Sequence, residues 1–144
     1  MKPSPIQLFR AGCALGALGV AFGAFGAHAL EGQLEPKDLR TYEKAVLYQF
    51  VHAIALAGLG LALRFSEGGN GTGPGLRARA RLRLGGGILL FGTIVFCTSL
   101  YVVAFGTKIA GAVAPIGGTA FLVGWLILAL APLASDDVES DPPV

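Results

Sequence analysis

The sequence predicts an all-α integral membrane protein, a four-helix bundle with both termini on the cytoplasmic side (N-in, C-in), and three observations carry that reading. The 144-residue chain is 53% hydrophobic and only 14% charged, with a mean hydropathy of +0.66. Its apolar residues gather into four long uncharged runs, each meeting or nearly meeting the roughly 20 residues that a spanning helix needs. Its basic residues divide unevenly between the two sides that four crossings define. The amino terminus, the second connector and the tail carry Lys2, Arg10, Arg64, Arg77, Arg79, Arg81 and Arg83, whereas the other side carries Lys37, Arg40, Lys44 and Lys108. Orientation follows Lys and Arg in short flanking loops, so this seven-to-four excess places both termini in the cytoplasm. A single membrane domain is expected, with spans near residues 11–30, 45–63, 84–105 and 112–134.

The first span carries Gly12, Gly16, Gly19, Gly23 and Gly26, whose gaps alternate four and three. That spacing traces one stripe along a helix. Each glycine costs a soluble helix about 1 kcal/mol relative to alanine, but between membrane helices small residues permit the close backbone approach that drives association. A mean spacing of about 3.5 favours a left-handed crossing, and the stripe is expected to face another helix of the same chain. Ala27-His28-Ala29 fits a signal-peptidase site, yet the apolar run exceeds a usual signal core and cleavage would discard the whole stripe.

Residues 31–44 follow with seven charged side chains. Pro36 suits the first turn of a new helix, and Leu39, Tyr42 and Val46 can lie against the membrane while Asp38, Arg40 and Glu43 face water. The second span is polar at its outer start, with Tyr48, Gln49 and His52, then wholly apolar. The connector at residues 64–83 opens with a glycine-rich stretch too poor in apolar residues to order itself, so a mobile cytoplasmic loop is expected. Arg77, Arg79, Arg81 and Arg83 close it. They read as an orientation signal and as contacts to anionic lipid headgroups, each worth about 1 kcal/mol near a charged leaflet; no soluble module accompanies them, which makes nucleic-acid binding a poor rival, and no nucleic-acid partner is expected.

The third span ends at a short turn, Gly106 to Lys108. Pro115 opens the fourth, where Gly117, Gly118 and Gly124 allow close packing. The acidic tail, residues 136–144, is expected to be disordered. Cys13 lies near one end of its helix and Cys97 about 20 Å into another, too far apart for a disulfide.

Three segments carry a family resemblance: Gly23-Ala24-Phe25-Gly26-Ala27-His28-Ala29-Leu30; Tyr42 through Ala45 with Tyr48-Gln49 and His52-Ala53; and Pro115-Ile116-Gly117-Gly118 continuing through Phe121 to Gly124-Trp125. In order and spacing the chain resembles the small four-helix membrane proteins classed as a domain of unknown function in bacteria, with relatives that include transmembrane protein 256 of animals. The resemblance implies a multi-pass protein of the bacterial cytoplasmic (inner) membrane that keeps its first helix; it implies no reaction. The chain departs from the family where Thr98 replaces a glycine of the third span, which argues against very close packing there.

The polar residues of the spans fall at similar depths. His28 lies at the outer end of the first helix, Gln49 and His52 lie roughly 6 to 11 Å into the second, and Thr119 lies roughly 10 Å into the fourth. Ser99 and Tyr101 fall in the outer third of the third helix. Tyr42, Gln49 and His52 share one helical face, with Tyr48 one turn before His52. Polar groups in hydrocarbon need partners, so His28, Tyr42, Tyr48, Gln49, His52, Ser99, Tyr101 and Thr119 form a candidate polar cluster. Its bland form is a hydrogen-bond network fixing helix register; its functional form is a small outward-facing pocket. Haem could use the two histidines, but no thiolate or carboxylate lies at their depth for a metal, so no cofactor is expected. No nucleophile–base pair, phosphate loop or carboxylate pair appears within the spans. A non-enzymatic component contacting lipid, a membrane protein partner or a second copy is the leading expectation; a small transporter or channel is the alternative and a haem or metal carrier the third.

Overall fold

The computed structural model describes residues 2–67 and 74–132. The described residues form four α-helices: α1 (Pro5–Phe25), α2 (Pro36–Glu67), α3 (Leu76–Ala104) and α4 (Ala114–Ala129). The last turn of α1 widens into a π-helix at Gly26–Leu30, and a 3-10 turn at Lys108–Ala112 leads into α4. All four helical segments are long and apolar enough to cross a membrane, and no strand occurs among the described residues.

The helices differ from the sequence expectation chiefly at their ends. α1 begins at Pro5, six residues before the apolar run, because Ser4 and Gln7 form a reciprocal cap: the Gln7 amide donates to Ser4 Oγ at 3.2 Å and the Ser4 amide to Gln7 Oε1 at 2.7 Å. The S-x-x-Q pattern with proline at the first helical position is a start signal readable in the sequence. α2 begins at Pro36, the expected first turn, and continues without a break into the second span, so the charged segment and that span are one helix of 32 residues. At 1.5 Å per residue it is about 48 Å long, far more than the roughly 30 Å hydrocarbon layer, which leaves its charged first turns outside. α3 begins at Leu76 rather than near 84, making the four arginines its opening turns. α4 stops at Ala129, short of 134. Residues 68–73 of the expected mobile loop and the whole tail 136–144 lie outside the described residues.

Those arginines gather the other helices. Arg79 donates to Pro74 O at 2.8 Å and to Ser66 O, near the end of α2, at 2.6 Å. Arg81 reaches Leu130 O just past α4 at 3.1 Å. Arg83 donates to Pro3 O at 2.8 Å and Lys2 O at 3.4 Å, ahead of α1. Helix C-termini leave carbonyls without intrahelical partners and carry partial negative charge, so guanidinium forks fit Ser66 and Leu130 on both counts. This end of the bundle is the basic end. Arg79, Arg81 and Arg83, expected at lipid headgroups, thus bond backbone carbonyls of the neighbouring segments, while Arg77 is exposed.

α2 and α3 are the central pair; α1 packs along α2 and α4 along α3, and α1 comes against α3 only lightly. Among the described residues α1 and α4 make no backbone approach within 8 Å. Leu8, Leu56, Leu63, Leu89 and Phe121 form the main apolar core, and Leu30, Tyr42 and Ala104 a second one toward the other end. Cys13 is exposed, Cys97 is buried, and both are free thiols.

Glycines set both hairpin interfaces. Gly12, Gly19 and Gly26 are buried, while Gly16 and Gly23 are half-buried, so the five-glycine stripe resolves into a seven-residue repeat in contact and two looser positions. A Cβ on Gly12 would stand 2.5 Å from Ala57 N and 2.6 Å from Ala53 O. In return, a Cβ on Gly60 would meet the α1 backbone at Phe9. On the other hairpin the glycines pair across the antiparallel crossing, Gly85 against Gly124 and Gly92 against Gly117. Gly118 is in looser contact, its Cβ position 3.8 Å from the Phe96 ring. Thr98 is exposed and takes no part.

Candidate functional site

Two separate polar assemblies are built on the stretch of α2 from Tyr42 to His52; Gln49 and His52 are buried, while Tyr48 and Trp125 of the second assembly are exposed. In the first, Gln49 bridges three helices: its Nε2 donates to Leu15 O of α1 at 2.8 Å, and its Oε1 accepts from the Tyr101 hydroxyl of α3 at 2.9 Å. A carbonyl can only accept, so the partners fix which way the amide points. About two turns nearer the start of α2, the Tyr42 hydroxyl donates to Phe22 O of α1 at 2.8 Å. Tyr101 packs its ring against Phe22 and Tyr42, each with centroids 5.0 Å away.

The α1 carbonyls that receive these bonds are not arbitrary. Leu15 lies four residues before Gly19 and Phe22 four before Gly26, both buried glycines. On a helix, Cβ leans toward the N-terminus over the preceding turn, so a side chain at position i+4 shields the carbonyl of residue i. Glycine at 19 and 26 leaves the second lone pair of each carbonyl open to a side chain from α2. The glycine repeat thus serves hydrogen bonding as well as close approach.

The second assembly faces α4. His52 Nδ1 is 2.8 Å from Tyr48 O, and Trp125 Nε1 donates to His52 Nε2 at 3.4 Å. The carbonyl accepts only and the indole N–H donates only. Together they fit one form of the ring, the neutral imidazole with its proton on Nδ1. His52 stacks on Phe121 with centroids 3.7 Å apart and planes 14° from parallel, and Tyr48 lies beside both, stacked on Phe121 at 6.0 Å and tilted against Phe96 at 4.9 Å. A proton arriving at Nε2 would set two donors face to face, and the chain ends in an indole and a backbone carbonyl. It has no onward step.

Of the remaining candidates, Ser99 is buried but bonds its own helix at Phe96 O, 2.8 Å away. Thr119 is exposed and bonds Pro115 O at 2.9 Å. His28 is exposed on the π turn, away from both assemblies. The expected single layer is thus two groups, Tyr42–Gln49–Tyr101 and Tyr48–His52–Trp125, with His28, Ser99 and Thr119 outside them. Trp125, Phe121 and the acceptor carbonyls of Leu15 and Phe22 were missed by sequence reasoning; the glycines at 19 and 26 were the signal for the carbonyls. No buried side-chain polar atom lacks a partner among the described residues, and no cluster of His, Cys, Asp and Glu there could hold a metal ion.

A multi-pass helical membrane protein with an internally paired polar core is the class that fold and site define. The chain belongs to the family described as protein of unknown function (DUF423), whose profile matches residues 22–118, a stretch that takes in Tyr42, Gln49, His52 and Tyr101 but not Trp125. A UPF0382 membrane protein of Staphylococcus epidermidis is 40% identical over 117 residues, covering 81% of this chain and 86% of its own length. The UPF0382 membrane protein YwdK of Bacillus subtilis is 32% identical over 115 residues, 79% of this chain and 85% of YwdK. A Staphylococcus aureus relative of the same name is 36% identical over 116 residues, 79% of this chain and 84% of its own. No solved structure matches the chain significantly. Its place is a multi-pass one in the cytoplasmic membrane.

Proposed function

We propose that this chain is a non-enzymatic membrane component that acts through its lipid- and partner-facing surface, its polar interior serving to fix helix register. The observation that supports this most is the pairing of the interior: the described buried polar side-chain atoms have partners within the protein. His52, the group best suited to proton handling, sits between a donor-only indole and an acceptor-only carbonyl. Transport requires a polar path, and this arrangement terminates one.

Reconstitution into liposomes holding a pH-sensitive dye tests the reading. Under an imposed potential, the expected proton leak equals that of protein-free liposomes. A leak that disappears in His52→Phe would overturn the proposal in favour of transport, and a Soret band in the purified protein would do so in favour of a haem carrier. We further propose that the basic end faces the cytoplasm, from the seven-to-four excess of Lys and Arg. A single cysteine at Ser66, in a chain lacking Cys13 and Cys97, should resist impermeant thiol reagents added to intact cells; ready labelling would reverse the orientation.

A further inference from the structure

We propose that the cleft between α1 and α3 at the basic end is a binding site for one anionic glycerophospholipid, with an acyl chain between the helices and the phosphate at Lys2. The cleft has a volume of about 600 Å³, within the range of about 300–1,000 Å³ typical of small-molecule sites. It exists because α1 comes only lightly against α3 and because Ala11 is small where a larger side chain would fill it; Gly87 also lines it, with the Pro3 ring packed over its Cα. Leu84, Ile88 and Leu90 supply its apolar wall from α3.

Its mouth has the opposite character. Lys2 lines it, with Gln7 beside it on α1. Arg83 holds the backbone of Lys2 and Pro3 through their carbonyls, at 3.4 and 2.8 Å, and so positions the Lys2 strand over the opening. Arg10 follows Gln7 by three residues, on the neighbouring helix face.

The bilayer narrows the choice of occupant. An apolar cleft open sideways in hydrocarbon is filled by lipid chains, and basic pockets between helices at the cytoplasmic side select anionic headgroups. The charge at the mouth and the apolar wall below it match the two ends of one molecule. This departs from a headgroup role for the α3 arginines alone: Arg83 acts by positioning, and the N-terminal segment supplies the charge that meets the phosphate. The inference rests on the reading of the chain as a surface-acting membrane component, but it fails separately, because loss of lipid selectivity leaves the liposome leak unchanged.

Native mass spectrometry of the full chain in detergent, titrated with dioleoyl phosphatidylglycerol or dioleoyl phosphatidylcholine, tests it. One phosphatidylglycerol should be held several-fold more tightly than phosphatidylcholine. Lys2→Gln should reduce that preference about fivefold, the factor for one basic charge near the surface. Ala11→Phe, which fills the cleft and keeps Lys2, should weaken both lipids. Its melting temperature is read alongside, and if it falls, Leu84→Phe at the exposed rim replaces it. Equal retention of the two lipids would reduce the cleft to ordinary boundary lipid and overturn the site. So would cleft-filling variants that bind as wild type, or glycerol 3-phosphate displacing the lipid at equal concentration, which would assign the cation to a free anion.

Discussion

The two helical hairpins solve the same problem by different means. Both use glycines seven residues apart: on α1 Gly12 meets the α2 backbone while Gly19 and Gly26 make room for the rings of Phe50 and Tyr42, and across α3–α4 Gly85 meets Gly124 and Gly92 meets Gly117. In α1–α2, however, side chains of one helix reach backbone carbonyls of the other, Gln49 to Leu15 and Tyr42 to Phe22. In α3–α4 the hydroxyls of Thr93, Ser99 and Thr119 turn back to their own helices, and the crossing is glycine against glycine. Lipid tails give no hydrophobic reason for helices to associate, so close packing and interhelical hydrogen bonds must do it. Along the span α3–α4 relies on close packing, with Arg81 to Leu130 O joining the pair only at the basic end; α1–α2 adds hydrogen bonds through carbonyls that the same glycines uncover. The difference predicts that the hairpins respond alike to lost closeness and unlike to lost polarity.

The largest effects should come from Gly117→Val and Gly12→Val. A Cβ at Gly117 would lie 2.6 Å from Phe96 N and 2.8 Å from Phe96 Cα, and one at Gly12 would lie 2.5 Å from Ala57 N. Backbone cannot step aside as a side-chain tip can, so each should cost about 3 kcal/mol or more, the upper end for overpacking. Unfolding in detergent measures both. A large loss at Gly12 with none at Gly117 would mean that the second hairpin is held by something other than close packing.

Gln49→Leu ranks next and touches only one side of the comparison. It removes two interhelical bonds, each about 0.6 kcal/mol in membrane proteins, and leaves the half-buried Tyr101 hydroxyl without its acceptor, so a loss of about 2 kcal/mol is expected. Adding Tyr101→Phe should recover part of it, since the double mutant has no orphaned hydroxyl. Strict additivity of the two would break the Gln49–Tyr101 link. Tyr42→Phe should cost only about 0.6 kcal/mol, because Phe22 O also accepts from the Gly26 amide of its own helix.

Much of this architecture was legible in the sequence, and the physics explains which parts. Apolar length fixed the four crossings, since a bilayer demands it whatever the packing. The length of an uncharged run bounds the apolar span and not the helix: Arg10 and the α3 arginines sit in helical turns ahead of their spans, and the Ser4–Gln7 cap is the sequence signal for the α1 start. The polar residues of the spans were visible by depth, but depth does not specify azimuth. Gln49 and His52, three residues apart on α2, serve different neighbours, α1 with α3 and α4 respectively. His28 and Thr119 share the depth yet point away. The partners that sequence reasoning did not find are mostly backbone carbonyls, which every residue owns and no residue type announces.

The smallest effect separates two glycines of one stripe. Spacing alone makes Gly19 and Gly23 equivalent, but a Cβ at Gly19 would sit 3.1 to 3.3 Å from three atoms of the Phe50 ring, whereas one at Gly23 would meet Val46 Cγ1 at an ordinary 3.6 Å. Gly23→Ala should therefore be neutral or stabilise by up to about 1 kcal/mol, the helix-propensity gain over glycine. Gly19→Ala receives the same gain but must displace the ring, and a shifted ring costs about 1 kcal/mol or more. Gly19→Ala is thus expected to melt below Gly23→Ala in the same detergent. Alanine keeps both changes to a single methyl, so neither variant unfolds the hairpin outright and the two melting temperatures stay comparable. Equal values would mean that α1 rests on α2 along all five glycines rather than on the seven-residue repeat, and the uncovered carbonyls of Leu15 and Phe22 would lose their special place on the helix.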